Sequence, residues 1–177
     1  MVSAMTDEGD SLLFLNQVKP SWVETADSCY RALLYYNKVG EKADVQSVSS
    51  VLVPTVRKRQ TDKEPFRDDP VKVVGAWKSA NQRYINLDLE LMTGRDDGNV
   101  VSQKVGMECD TIITDEAGRQ HFFLSLYHDQ NNSPEYYSAE VYISVPVSRL
   151  PEAMKPGDDV SIRINTYSGA WERIFSF

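Results

Sequence analysis

Cysteine and histidine are scarce in this chain: two of each in 177 residues. Cys29 and Cys109 each sit inside an apolar run, so both are expected to be buried free thiols, and a disulfide framework is excluded as the basis of the fold. A basic excess is also missing. Lys and Arg number 19 against 26 Asp and Glu, a formal net charge of −7. Binding to nucleic acid, which needs clustered cations against the phosphates, is therefore not expected. The only basic cluster is Arg57-Lys58-Arg59. No segment approaches the roughly 18 apolar residues of a membrane-spanning helix. Leu12–Leu15 is too short for the apolar core of an export signal, so the chain as it stands is expected to carry none. GxGxxG, GxxxxGK, GxSxG and HExxH are all absent, and no cofactor is expected. At 41% hydrophobic and 25% charged residues, the composition is that of an ordinary globular protein long enough to bury a core.

What the sequence has in abundance is alternation with period two, the mark of half-buried strands. Ile85, Leu87, Leu89 and Leu91 alternate with Asn86, Asp88 and Glu90. Ala139, Val141, Ile143 and Val145 alternate with polar neighbours, as do Val160, Ile162 and Ile164. Helical spacing is rare; only Pro151–Lys155 suggests a single turn. Asp97-Gly98, Ala117-Gly118, Asn131-Asn132, Pro156-Gly157 and Ser168-Gly169 mark turns. Two hairpins can be registered. One turns at Ser168-Gly169 and sets Ile162 against Phe175. The other pairs 119–127 with 136–146, placing Phe122 opposite Val141 and Leu124 opposite Ala139. Phe122, Leu124, Val141, Ile143, Ile162 and Phe175 are expected to share one core. The stretch 57–70 breaks the rhythm with nine charges and two prolines, and reads as a solvated linker. About three strands precede it, near 11–18, 29–39 and 44–56, and seven or eight follow.

The candidates for chemistry are few. His121 and His128 are seven apart, and side chains separated by an odd number on one strand point to opposite faces, so no shared metal site is expected. Cys109 with His121 offers a nucleophile and a base, but no orienting third group accompanies them. Asp88 and Glu90 share a strand face at about 7 Å, a spacing that overlaps that of glycosidase carboxylates, although exposed faces commonly carry acids. "GRDDGN" at 94–99 has the Asp-Asp-Gly of a calcium loop without its final ligand. The remaining feature is aromatic. The outer face of the 119–146 hairpin is expected to carry His121, Phe123, Tyr127, Tyr136 and Tyr142, either as a binding face for a protein or glycan or covered by another part of the chain.

"FFLSLYHDQNNSPEYYSAEVYISVPVSRL", followed by "GDDVSIRINTYSGAWERIFSF", resembles the C-terminal β-sandwich of the NigD-like proteins. The features carrying the likeness are a Tyr-His-Asx-Gln loop, a strand ending in an apolar-Pro pair and a closing Thr-Tyr-Ser-Gly hairpin. "DPVKVVGAWKSANQRYINLDLEL" at 69–91 is similar to the start of that domain. "CYRALLYYNKVGEKADVQSVSSVLVPTV" is similar to the last strands of the family's N-terminal OB-like barrel. The resemblance implies an all-β fold: a partial OB-like barrel with its charged linker 57–69 over residues 1–69, then an Ig-like β-sandwich over 70–177. It also implies a protein of the bacterial cell envelope, periplasmic or at the outer membrane, anchored as a lipoprotein; a non-enzymatic role in binding or assembly is the leading expectation. A carbohydrate-binding sandwich and a hydrolase are the rival readings. No lipidation-site cysteine is evident, since Cys29 falls in a probable strand, and the first barrel strand is expected to be missing.

Overall fold

The computed structural model describes residues 1–25, 28–60, 65–96 and 98–177. The chain is all-β, with no α-helix among the described residues. Four strands precede the stretch read as a linker: β1 (Ser3–Met5), β2 (Ser11–Phe14), β3 (Ala32–Val39) and β4 (Lys42–Ser50). They form one sheet in the order β1-β2-β4-β3. It is an open sheet rather than a closed barrel, and β1 supplies the early strand that the sequence did not show. Its apolar content is poorly covered. Leu12 and Ala43 are its buried apolar residues, while Met5, Leu13, Tyr35 and Val39 are all more than half exposed.

The remaining strands build a two-layer sandwich. β5 (Arg57–Lys58), β10 (Lys104–Thr114), β11 (Gln120–Asp129), β13 (Asp159–Thr166) and β14 (Gly169–Ser176) make a five-stranded sheet, ordered β14-β13-β11-β10-β5. β6 (Lys72–Lys78), β7 (Tyr84–Thr93) and β12 (Tyr137–Pro146) make a three-stranded sheet, ordered β12-β7-β6. Between β7 and β10, the short strands β8 (Arg95–Asp96) and β9 (Asn99–Val100) pair with each other. The Asp97 half of the Asp97-Gly98 turn, and with it part of the 94–99 calcium-like loop, lies outside the described residues. A short 3-10 helix follows β12 at Val147–Arg149, slightly ahead of the turn expected at 151–155.

The inward-facing positions are those the alternation predicts. Phe122, Leu124, Ile143, Ile162 and Phe175 belong to one buried cluster, with Val141 packed against it. At roughly 1.5–3 kcal/mol per fully buried large apolar side chain, this cluster is the main favourable term for the sandwich. The side where β6 meets β14 is closed by two cations. Arg173 Nη1 donates to the carbonyl of Ala76 at 2.6 Å, and Lys78 Nζ donates to that of Ser176, joining the β6 and β14 edges. Such pairing blunts edges that would otherwise offer free N–H and C=O groups.

Three expectations need correction. First, β11 and β12 do not form a hairpin. β11 lies between β10, antiparallel, and β13, parallel, while β12 pairs with β7 in the opposite sheet. Val141 faces Leu89 and Ala139 faces Leu91. Alternation says which face is apolar, and both sheets present the same kind of face to the core, so it cannot choose the partner. Second, the closing hairpin pairs Thr166 with Gly169 and Ile162 with Arg173, two residues from the expected register. A slip of two leaves every side chain on its own face, so the core is indifferent to it. The turn is held instead by Thr166 Oγ1, which donates to Gly169 O at 2.6 Å and accepts from Ser168 N at 3.2 Å.

Third, the described parts of 57–70 have their backbone docked on the sandwich, although most of their side chains are exposed as a solvated stretch requires; residues 61–64 lie outside the described residues. Leu52 N donates to Tyr142 O at 2.9 Å and Ser144 N to Leu52 O at 2.8 Å, which adds Leu52 to the edge of β12. Val56 is buried in the core. β5 then pairs in parallel with β10, so the chain crosses from one sheet to the other here. Arg59 N donates to Cys109 O at 2.8 Å. The apolar residues Val56 and Val71 on either side of the charged run are core residues, which holds the run against the surface.

Candidate functional site

β11 places His121, Phe123, Ser125 and Tyr127 on the outer face of the five-stranded sheet, because Phe122, Leu124 and Leu126 are drawn into the core. His121 and Phe123 stack with ring centroids 4.2 Å apart and an interplanar angle of 10°. His121 Nε2 lies 2.7 Å from Ser161 Oγ on β13. The registers extend the row: Ile113 sits beside His121, and Thr111, Phe123, Ser161 and Ile174 lie side by side across four strands. At about 4.8 Å per strand that row spans roughly 14 Å. Ile113 is 55% exposed and Ile174 57%. The lower half of the face is occupied. Ser125 Oγ donates to Asp110 Oδ2 at 2.6 Å. Phe66 meets Tyr127 edge to face at 5.8 Å, and Arg59 lies over the Phe66 ring at 3.6 Å. Arg59 also pairs with Glu108 at 3.3 Å and sits 2.7 Å from Asp110.

The five aromatic or imidazole residues expected on one face are therefore divided. His121, Phe123 and Tyr127 share the outer face of β11. Tyr142 is on the outer face of the other sheet, opposite Asp88. Tyr136 lies in the connection between the sheets, 76% exposed. Its backbone N donates to Thr93 O at 3.0 Å, and its ring fits beside Gly94, where a Cβ would lie 2.9 Å from Tyr136 Cδ2. Burial, with Glu140, Asp88 and Tyr35 around it, pushes the Tyr142 phenol well above its ordinary pKa. Burial also raises the Asp88 carboxyl, reinforced by Glu140 and Glu90 and opposed by a hydrogen bond from Tyr142. Glu90 faces Glu140 directly across β7 and β12, and Lys72 bonds Glu90 at 3.0 Å. Asp88 and Glu90 do share a face, as their spacing indicates. Among the described residues, however, no group of three His, Cys, Asp or Glu side chains is placed to hold a metal ion.

The two histidines have different surroundings. His128 is buried at 1% exposure. Its Nδ1 is 2.9 Å from Asp69 O and its Nε2 2.8 Å from Gln103 Oε1. Backbone bonds run alongside: His128 N to Arg67 O and Asp69 N to His128 O, both 3.0 Å. His128 thus pins the charged stretch to β11. Cys109 and His121 are on opposite faces of the five-stranded sheet. The Cys109 thiol is in the core, its pKa raised by burial and by the Asp110 charge, and its Sγ lies 3.5 Å from Thr111 O. A buried thiol of raised pKa is a poor nucleophile. Cys29, by contrast, is exposed and lies outside the regular strands, which corrects the expectation of a buried strand residue.

No motif or periodicity signals the contact that joins the N-terminal sheet to the sandwich. Arg31, just before β3, donates to both carboxylate oxygens of Asp7 at 2.6 Å, to Ser144 Oγ at 3.1 Å and to Asn86 Oδ1 at 3.2 Å. Its guanidinium lies 4.2 Å from the Tyr84 ring centroid. The Arg31 bond holds the Asp7 carboxyl below its ordinary pKa. Asn86 and Ser144 were legible only as polar residues on strand faces. Their role depends on Arg31, which lies 55 positions from Asn86 and 113 from Ser144.

Comparison with known proteins agrees with this architecture. No curated protein matches the chain significantly. Among solved structures, a NigD-like immunity protein from Bacteroides caccae is 23% identical, with a TM-score of 0.64 over 97% of this chain and 88% of that one. A protein of unknown function from Bacteroides vulgatus is 15% identical, with a TM-score of 0.69 over 99% and 82%. A Bacteroides fragilis protein provisionally named a lipoprotein is 12% identical, with a TM-score of 0.63 over 98% and 89%. At these identities the likeness is one of fold. The profile of the NigD-like C-terminal β-sandwich domain matches residues 52–177, beginning at the residue that joins the edge of β12, and the chain belongs to the NigD-like family.

Proposed function

We propose that this is a non-enzymatic protein of the cell envelope that acts by binding a protein partner through the outer face of the five-stranded sheet. The observation that carries the reading is the pair of exposed isoleucines, Ile113 and Ile174, on either side of the stacked His121–Phe123 pair on a rigid sheet. Apolar side chains held in fixed positions among polar neighbours such as Thr111, Ser161 and Asp159 match the apolar centre and polar rim of a protein interface. The inward turn of Cys109 and the structural use of His128 support binding over catalysis. The name of the Bacteroides caccae relative, an immunity protein, supports a protein partner. That of the Bacteroides fragilis relative supports an envelope location with a lipid anchor.

In the test, the full-length gene product is expressed in its own cells with a photo-crosslinking residue at Thr111. Fractionation should place it with the membranes. Crosslinking should trap a defined protein that the double variant Ile113→Asp, Ile174→Asp no longer traps, while its melting temperature stays within a few degrees of wild type. An unchanged crosslinking pattern in the double variant refutes the assignment of this face. A glycan reading is favoured by a separate observation: Tyr136, Tyr137 and Tyr167 are 76%, 48% and 51% exposed. Glycan binding lost on Tyr136→Ala or Tyr167→Ala, with the isoleucines irrelevant, would support it instead.

A further inference from the structure

A second site lies where the N-terminal segment meets the sandwich, and it shares no residue with the face around Phe123. A cleft of about 430 Å³ opens there between the segment before β3, the strand-like stretch around Val51 and Val53, and the sandwich end formed by Tyr84, Pro146 and Arg149. Its volume falls in the range of small-molecule sites, about 300–1,000 Å³. Much of its wall is apolar or aromatic. Trp22 and Tyr30 meet edge to face, with centroids 5.9 Å apart and an interplanar angle of 73°.

Two guanidinium groups line the cleft, and their conditions differ. Arg31 is fully engaged: Asp7 neutralises it, Asn86 and Ser144 accept from it, and its face rests on Tyr84. It holds the wall in place. Arg149, the last residue of the 3-10 helix, is exposed and has neither an ion pair nor a hydrogen bond among the described residues. Among the described residues it is the one uncompensated charge on the cleft wall, and it is positive in a chain whose net charge is −7. An aromatic recess with one free guanidinium at its rim selects a planar apolar body bearing a single negative charge. A carboxylate matches the paired N–H donors of arginine, and an aromatic ring matches the Trp22–Tyr30 surface.

We propose that this cleft binds a small aromatic carboxylate, with Arg149 taking the carboxylate and Trp22 and Tyr30 taking the ring. Cys29 provides the means to test it, because its exposed thiol lines the same cleft whereas Cys109 is buried and serves as the unreactive control. The intact protein is labelled with N-ethylmaleimide in the presence of N-acetyltyrosine or its neutral amide. N-acetyltyrosine should slow Cys29 labelling saturably, and the amide should need about two- to fivefold higher concentration, the range for one exposed charge pair. Arg149→Gln should abolish that difference, with protection in each protein measured relative to its own labelling rate without ligand, because a guanidinium in the cleft also favours the reactive thiolate. Trp22→Ala should weaken protection by both compounds. Equal protection by acid and amide in the wild type, or a preference that survives Arg149→Gln, overturns the proposal, as does the absence of protection by either compound at about 20 mM, where only negligible affinity remains. None of these outcomes bears on crosslinking at the Ile113–Ile174 face, so the two assignments stand or fall separately.

Discussion

Replacing His128 by alanine tests whether this histidine is a structural fastener. The ring is 1% exposed, and its two nitrogens contact Asp69 O at 2.9 Å and Gln103 Oε1 at 2.8 Å. Alanine removes both contacts and leaves the two oxygens facing a void. Each unsatisfied buried polar group costs about 1–3 kcal/mol, so a loss of about 3–5 kcal/mol is expected once the lost packing of the ring is included. The damage should be local first. Asp69 N and His128 N donate within the paired stretch 67–69 and 128, so hydrogen exchange there should accelerate before the rest of the sandwich. His121→Ala is the control. His121 loses its contact with Ser161 and its stack on Phe123, but it is only partly buried, and a cost of about 1–1.5 kcal/mol is expected. Urea unfolding of the three proteins gives the comparison. If His128→Ala stays within about 1 kcal/mol of wild type, or costs no more than His121→Ala, the fastener argument is wrong.

Ile143→Ala should cost about 2–5 kcal/mol in urea melts, because Ile143 is 1% exposed in the common core, whereas Ser138→Ala on the opposite face should cost under about 0.5 kcal/mol. Gly94→Ala should lower the melting temperature, by about 1–3 kcal/mol in stability, because a Cβ there lies 2.8 Å from both Pro134 Cβ and Pro134 O; an unchanged melt would show that the 130–136 connection yields freely. Asp7 has a folded-state pKa below its ordinary value of 3.8, owing first to its Arg31 bond. Its contribution is therefore complete above that ordinary value and lost as pH falls through the lower folded value. Asp7→Asn should cost about 1–3 kcal/mol near pH 7, and the difference from wild type should shrink as pH falls below 3.8. A difference that does not change as pH falls would separate the effect from ionisation. Hydrogen exchange should show weaker protection over 11–50 than over 120–129 and 159–176, since the N-terminal sheet buries few apolar residues; equally slow exchange in a monomer would contradict this.

The class of fold and the membership of its core are written in the order of the residues alone. Alternation is a direct record of which side of each strand is wet, and the burial cost of a misplaced Leu or Ile is large enough to make that record reliable. Phe122, Leu124, Ile143, Ile162 and Phe175 were legible for this reason, and so was the separation of His121 from His128 by face. The family was legible too, because loop and hairpin motifs near the end of the chain are specific as strings. Strand partners were not. β11 and β12 carry the same periodicity and are joined by a turn-rich connection, yet one pairs with β10 and β13 and the other with β7. Either pairing satisfies the same apolar faces, so only three-dimensional packing chooses between them. With the partner undecided, the outer face was undecided, and the aromatic group read as one surface is divided between two sheets and a loop. The charged stretch 57–70 was misleading for a related reason. Its local composition favours water, while Val56 and Val71 at its flanks and His128 across it hold it to the sandwich. The Arg31 junction and the cleft beside it were beyond the reach of the sequence. They bring together residues from both ends of the chain, none carrying a local pattern, and their chemistry exists only once tertiary structure has set a guanidinium between two sheets.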